Sequence, residues 1–187
     1  NIFEINSNLC SRSIEIHPMI KSAKIVRHLP RKIEVQVVER NVWAVIPYHN
    51  SFLCVDEEGI CIDKLSSFPA ADCPVVITMD ALPGRVNLGQ AVQAAGVKMA
   101  KKVWDALSVK SRPQVSDIHF INKTEEIVIY TTNGTEVKFG SDERLADKAT
   151  FVDQVIEIEN DMDKKGVDVL QYVDLRFRGQ PVVKTAP

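Results

Sequence analysis

The chain has 187 residues, which suits one large domain or two small ones. Apolar residues make up 45% and charged residues 26%, a balance that excludes a disordered tail and favours a globular chain with a buried core. The 23 basic and 25 acidic side chains give a formal net charge of -2, which excludes the overall positive field expected of a protein that binds nucleic acid.

The first quarter of the chain predicts one helix followed by a β-hairpin. The elements are a helix over 6–16 and strands over 20–27 and 32–39. Asn6 or Ser7 is suited to cap the helix, and Pro18 closes it. In the second strand apolar residues such as Val35 and Val37 alternate with polar ones, which predicts a hairpin with one buried face.

A second hairpin and a loop-rich connector follow. Strands are predicted over 42–47, 52–55 and 60–62, and over 75–77 inside a connector rich in Pro and Gly. The segment 56–59 provides the turn, because Gly59 is able to adopt a positive φ. Cys54 and Cys61 are predicted to lie opposite each other across this turn, either as a disulfide or, as we favour, as two buried thiols.

The next segment predicts a helix and three strands. The helix covers 91–107, and its buried face carries Val92, Ala95, Met99, Val103 and Ala106. The strands cover 116–121, 126–132 and 135–139. Asn133-Gly134 is typical of a two-residue hairpin turn, and counting back from it pairs Tyr130 with Val137. The same count pairs Val128 with Phe139 and predicts that these side chains share the buried face.

The last quarter predicts a long helix and a final strand. Ser141 is suited to cap a helix that ends in the basic turn 164–165. Its buried face carries Leu145, Ala149, Val152 and Ile156. The strand covers 170–177 with Val173, Leu175 and Phe177 alternating with polar residues, and Val182-Val183 either continues or extends it. The order of elements predicts an α+β fold with largely antiparallel strands and a domain boundary near Pro47.

Landmarks along nearly the whole chain resemble the bacterial FtsQ/DivIB cell-division family. In the first piece they are Asn1-Ile2-Phe3, Pro18, Ala23, Arg27, Leu29-Pro30, Glu39-Arg40 and Ala44, which resemble a POTRA domain of the FtsQ type. In the second piece they are Val55-Asp56-Glu57-Glu58-Gly59, Cys73-Pro74, Asn133-Gly134, Phe139-Gly140 and the segment 172–177. Two residues depart from the family pattern, Val42 in place of Pro and Met79 in place of Gly.

The resemblance implies two domains. The first, 1–47, would be a partial POTRA domain, because a complete one begins with a strand and a helix before the segment at Asn1. The second, 48–187, would be the β domain of the family, a mixed and largely antiparallel sheet with two long helices. The chain opens without an initiator Met or signal-peptide pattern and shows no apolar run near the roughly 20 residues that cross a bilayer. We therefore expect an internal piece, with a single membrane span upstream of it.

The function implied by the resemblance is that of a scaffold, not an enzyme. Such a scaffold acts outside the membrane at the division septum. It binds FtsB/DivIC-like and FtsL-like proteins and links them to septal peptidoglycan synthesis. By position, the implied partner-binding residues are Arg176 as a cation, Phe177 as an apolar anchor, and Val182 and Val183 as a continuing surface. The alternative for Phe177 is a place in the core.

The sequence also lacks the motifs typical of enzymes and metal sites. No nucleophile, phosphate-loop or zinc-protease motif is present in the sequence, and no cysteine pair has metal-site spacing. The four histidines are also too far apart in sequence to form a helical metal motif. We predict neither enzyme activity nor a cofactor or metal. Two alternatives remain, a POTRA-containing outer-membrane assembly or secretion component, which predicts tandem POTRA repeats, and a cell-wall enzyme, which predicts a cleft with converging acids.

Overall fold

The structure, a computed structural model, describes residues 5–69, 75–165 and 170–185, except for the side chains of 163–165. The helices are α1 Ser7–Glu15, α2 Ala94–Ala106 and α3 Leu145–Lys165. The first six strands are β1 Ile20–His28, β2 Lys32–Glu39, β3 Ala44–Tyr48, β4 Ser51–Val55, β5 Cys61–Leu65 and β6 Val75–Met79. The others are β7 Val115–Ile121, β8 Glu126–Thr131, β9 Glu136–Gly140, β10 Leu170–Asp174 and β11 Val182–Thr185. The predicted α+β class is confirmed.

The strands form two separate sheets. One contains β1 and β2, and the other has nine strands in the order β11-β10-β9-β8-β7-β6-β3-β4-β5. In the nine-stranded sheet three neighbouring pairs are parallel, β3 with β6, β6 with β7, and β9 with β10, and the remaining pairs are antiparallel. The sheet is thus mixed and largely antiparallel, as predicted.

The two-stranded sheet carries α1 along β1. The side chain of Asn6 accepts a hydrogen bond from the amide of Leu9 at 3.1 Å, so Asn6 caps α1. The predicted buried face of this hairpin is wrong, because Val35 and Val37 are 47% and 41% exposed. Two strands and one short helix offer too little opposing apolar surface to cover that face.

The core lies between the nine-stranded sheet and the helices α2 and α3. Its largest fully buried side chains include Phe139, Ile46, Leu53, Ile77, Ile118, Ile127, Ile129 and Ile156. Gly96 lets α2 approach the sheet closely, because a Cβ at this position would lie 2.6 Å from the ring of Phe120. On α2 the buried residues are Gly96, Val97, Ala100 and Val103, whereas the predicted Ala95 is exposed. The predicted burial of Val92 and Val103 is confirmed, and the rest of the buried face is rotated toward Gly96, Val97 and Ala100.

The helix α3 begins later than predicted. Its first residue is Leu145, and Ser141 lies outside the helix because Arg144 adopts a φ of 52° that interrupts helical geometry. The predicted burial of Ala149, Val152 and Ile156 is confirmed. The basic side chains 164–165 and Gly166 lie outside the described part.

The β8–β9 hairpin has a register that differs by one residue from the predicted one. The amide of Thr131 donates to the carbonyl of Thr135 at 3.1 Å, so the loop contains three residues, and Gly134 has a φ of 89°. Ile129 therefore faces Val137, and Tyr130 faces Glu136. The buried side is formed by Ile127, Ile129, Val137 and Phe139.

The cysteines also differ from the predicted arrangement. Cys61 pairs with Val55, and Cys54 pairs with Asp63, so the two cysteines are not opposite each other. Both are free and buried, and burial raises the pKa of the Cys61 thiol to about 11. Cys73 lies outside the described residues.

Charged residues join the two sheets. β3, which we predicted to end at the domain boundary, pairs inside the nine-stranded sheet with β4 and β6. Arg40, at the end of the two-stranded sheet, forms ion pairs with Asp56 and, at 2.8 Å, with Glu58. The ammonium of Lys21 lies 3.1 Å from Glu58. Within the described ranges no helix is long and apolar enough to cross a membrane.

Candidate functional site at the C-terminal edge

The candidate site is the C-terminal edge of the nine-stranded sheet, by which we mean β10, β11 and the loop 175–181 between them. β10 lies parallel to β9 on one side and antiparallel to β11 on the other. β11 is the end strand of the sheet, and all four of its residues are exposed. An exposed end strand offers unpaired backbone groups to another chain.

The backbone N–H and C=O groups of β10 point alternately toward β9 and toward β11. The amide of Leu175 donates to the carbonyl of Lys138 on β9 at 3.0 Å. Successive residues of a strand direct their backbone groups to opposite sides, so Val173 also faces β9, whereas Asp174 faces β11. The Cα pairing of Asp174 with Lys138 agrees with this direction, because in a parallel pair the residues on either side of Asp174 make the backbone bonds to Lys138.

The same alternation identifies the backbone N–H and C=O groups of β11 that do not pair with β10. Val182 is paired with Asp174 and therefore exchanges its hydrogen bonds with β10. Lys184 is likewise paired toward β10. The backbone N–H and C=O groups of Val183 and Thr185 consequently point away from the sheet, where the described residues provide no further strand.

The apolar side chains at this edge fall into two groups. Val173 and Leu175 are buried in the core. Phe177 is 67% exposed, and Val182 and Val183 are 53% and 54% exposed. The predicted alternation stops because β10 ends at Asp174 and the chain bends before Phe177, so the ring of Phe177 is not part of the core.

Arg176 does not stand free at this edge. Its Nη2 lies 2.6 Å from Oδ2 of Asp174, and its Nε lies 3.0 Å from Oδ1 of the same carboxylate. The hydrogen bonds from Arg176 lower the pKa of Asp174, and this carboxylate raises the pKa of Arg176. Nη1 lies 4.0 Å from Glu126 on β8. The cation predicted to meet a partner is therefore engaged within the chain.

Two residues that support the loop were not identified as such from the sequence. Gly140 has a φ of 77°, and a Cβ there would lie 2.9 Å from Cγ of Arg176, so the loop packs directly over this glycine. Arg144 donates from Nη2 to the carbonyl oxygens of Leu175 and Phe177, at 3.3 and 2.9 Å. Gly140 belongs to the Phe139-Gly140 landmark, although its role under the loop was not predicted. No sequence pattern indicated Arg144.

Elsewhere, one polar cluster lies on the face of the sheet away from the helices. His119 contacts Thr78 at 2.8 Å through Nδ1 and Asp80 at 2.8 Å through Nε2. Thr78 and His119 are directly paired on β6 and β7, so the contact is an ordinary cross-strand pair. Over the described ranges, no group of three His, Cys, Asp or Glu residues is arranged to hold a metal ion.

Comparison with known protein families covers almost the entire chain. The family model described as "Cell division protein FtsQ/DivIB, C-terminal" matches residues 44–176. A second model, "POTRA domain, FtsQ-type", matches residues 1–40. The two matches meet at the segment that joins the two sheets.

Individual proteins are also similar to this chain. The cell division protein DivIB of Clostridium botulinum is 26% identical over 188 residues, which cover 97% of this chain and 70% of that protein. FtsQ of Anaeromyxobacter sp. is 24% identical over 155 residues, 81% of this chain and 51% of its own length. The solved major extracytoplasmic domain of DivIB from Geobacillus stearothermophilus aligns with 68% of this chain, with 15% identity and a TM-score of 0.40. Because one family model covers residues 44–176, the chain belongs to the FtsQ/DivIB family of cell division proteins.

Proposed function

We propose that this chain is a binding scaffold of the division machinery that holds FtsB/DivIC-like and FtsL-like partners at its C-terminal edge. The observation that supports the proposal is the end strand β11, whose exposed valines and outward backbone groups follow the loop that bears the exposed ring of Phe177. An extended partner segment would add to β11 as a further strand, in the mode known as β-augmentation.

Backbone and side chains have separate roles in this proposal. The outward N–H and C=O groups of Val183 and Thr185 would supply affinity that depends little on the partner's sequence. Phe177 would act as the apolar anchor at one end of the added strand, and Val182 and Val183 would continue the apolar surface. These side chains supply the selection between partners.

The charge of the edge favours an acidic partner segment. Residues 174–185 carry three cations, Arg176, Arg178 and Lys184, against the single carboxylate of Asp174. Because Asp174 already neutralises Arg176, the remaining cations leave the edge net positive. The positive field of the edge would then come from Arg178 and Lys184, and Arg176 would not act as a free ion-pair donor, which refines the role assigned to it from the sequence.

Membership of the family supports a proposal about the setting of this edge. We propose that a single membrane span outside the residues described anchors the protein, and that the edge lies outside the membrane at the septum. There it would link its partners to septal peptidoglycan synthesis by recruitment, without covalent chemistry. The alternative of an outer-membrane assembly or secretion component is not favoured, because the family model over residues 44–176 is that of a cell division protein.

Hydrogen exchange tests the proposal. The probe is the extracytoplasmic segment of an FtsB/DivIC-type protein from the same organism, added to this chain after calorimetry has established binding. We expect the amides of Val183 and Thr185 to become protected in the complex, because an added strand pairs with these groups. Absence of binding, or protection confined to the two-stranded sheet or to β5, would contradict the proposal.

A further inference from the structure

Arg144 occupies a backbone position that arginine rarely adopts. It lies directly before α3 with a φ of 52°, in the left-handed region that favours glycine. Its carbonyl accepts a hydrogen bond from the amide of Lys148 at 3.0 Å, so the first turn of α3 is built on this residue. Glycine would satisfy the backbone without strain, so the presence of arginine points to a role for its side chain.

The side chain of Arg144 reaches the loop of the C-terminal edge. Nη2 donates to the carbonyl oxygens of Leu175 and Phe177, at 3.3 and 2.9 Å. Leu175 makes the last described backbone bond to β9, so both carbonyls lie where the regular pairing of β10 has ended. The planar guanidinium therefore replaces strand pairing at the start of the loop.

A second set of contacts fixes the same loop. Arg176 is bound to the carboxylate of Asp174 through Nε and Nη2, and its Cγ packs over Gly140. Arg144 thus binds the backbone of Leu175 and Phe177, and Asp174 binds the side chain of Arg176 between them. The ring of Phe177 remains 67% exposed although the chain that carries it has two anchors.

We propose that Arg144 is a positioning residue of the C-terminal edge. It fixes the loop 175–181 before any partner arrives, so that Phe177 projects into solvent and β11 remains paired with β10. Arg144 need not touch the partner, since its effect is to reduce the conformational freedom that binding would otherwise remove. The inference rests on the proposed function of this edge for its binding consequence, but its structural consequence can be measured without a partner.

The first test is hydrogen exchange of the protein alone. Arg144→Gly removes the guanidinium and at the same time relieves the backbone strain, so α3 and the core should stay intact. We expect the amides that are hydrogen-bonded at this edge, those of Leu175, Val182 and Lys184, to exchange at least about tenfold faster in this variant, with α2 and β8 unchanged. Arg144→Lys, which keeps the charge but loses the planar fork, should give an intermediate rate. Glu143→Ala, at the adjacent exposed position, serves as the matched control. Unchanged exchange in Arg144→Gly would overturn the inference.

The second test is binding of the FtsB/DivIC-type segment, followed in real time. Arg144→Gly should weaken binding by about 5- to 50-fold, mainly through slower association, because fewer molecules have the loop in place. Faster exchange together with unchanged affinity would overturn the positioning role. If the unmodified chain itself does not bind, the proposed function fails, and the exchange measurement alone decides whether Arg144 holds the loop.

Discussion

The two end strands of the nine-stranded sheet, β5 and β11, differ in how far other segments cover them. At the β5 end, the carbonyl of Cys61 accepts a hydrogen bond from the amide of Gly89 at 2.7 Å. The amide of Cys61 donates to the carbonyl of Gln90 at 2.9 Å. Ile60 forms a bridge with Ala91, and the following strand residues Asp63 and Lys64 are exposed and charged. At the β11 end the described residues place no comparable segment over the strand.

This difference bears on which edge could accept a strand from another chain. Natural sheets block end strands with covering segments and charged side chains, since an uncovered edge pairs readily with a foreign strand. The connector before α2 covers the start of β5, whereas β11 carries two exposed valines and a single Lys184. Over the described ranges, one edge of the sheet is covered and the other is not, and the uncovered edge is the one proposed to bind partners.

The largest effect is expected from Val183→Pro. Proline removes the outward N–H of Val183, and proline is tolerated on an end strand where that group faces solvent, so the variant should fold. Loss of the backbone bond and the clash of the ring with an incoming strand should cost about 3 kcal/mol, roughly 100-fold in Kd by calorimetry. Val183→Ala retains the N–H and should lose far less. Equal losses in the two variants would argue against backbone pairing at this position.

Phe177→Ala is expected to have the next largest effect. If the ring is the apolar anchor of the added strand, its removal should weaken partner binding by about 1–3 kcal/mol. The free energy of unfolding should hardly change, because the ring is 67% exposed in the chain alone. Val109→Ala, at an apolar residue that is 76% exposed outside this edge, is the control. A Kd unchanged by Phe177→Ala would remove this residue from the site.

Sequence patterns predicted the features of the β11 edge better than those of the β5 edge. Alternation and turn residues identified most elements, and the resemblance directed attention to Phe177, Val182 and Val183. These patterns could not show which edge is covered, because the cover on β5 comes from Gly89–Ala91. The bonds of this segment with Ile60 and Cys61 join parts of the chain about thirty residues apart and follow no sequence period. Long-range placement of this kind depends on tertiary packing rather than on local pattern.

Side-chain contacts limited the predictions of the site in the same way. Arg176 was assigned to a partner carboxylate by its position in the chain, whereas the structure pairs it with Asp174, two residues away. Arg144 had no sequence signal because its left-handed backbone is unusual for arginine, and the contact with Phe177 joins segments 33 residues apart. The Asn133-Gly134 motif gave the correct hairpin but the wrong loop length, since the Thr131–Thr135 backbone bond closes a three-residue loop.

A third prediction concerns the cover of the β5 edge. Gly59 has a φ of 82°, and a Cβ there would lie 3.1 Å from Cα of Ala94 and 3.3 Å from the carbonyl of Val92. Gly59→Ala should therefore lower the free energy of unfolding by about 1–2 kcal/mol, measured by urea denaturation. Gly84→Ala is the control, because nothing lies within 4 Å of a Cβ there. Partner binding at β11 should be unaffected by either change, and a parallel loss of binding would mean that the two edges are not independent.

The smallest effect is expected from the acid dependence of the Asp174–Arg176 pair. Hydrogen bonds from Arg176 depress the pKa of Asp174 in the folded chain, so the pair stabilises the fold at pH values above the ordinary pKa of an aspartate, about 3.9. This contribution is lost as the pH falls through the lower pKa of the folded state. Asp174→Asn should lower the free energy of unfolding by about 1 kcal/mol at pH 7, a modest amount because the side chain of Arg176 is 38% exposed. The difference between variant and parent should shrink toward zero as the pH falls below the lowered pKa of Asp174 in the folded chain, and a difference that stays constant throughout an acid titration would show that Asp174 stabilises the loop through packing rather than through its charge.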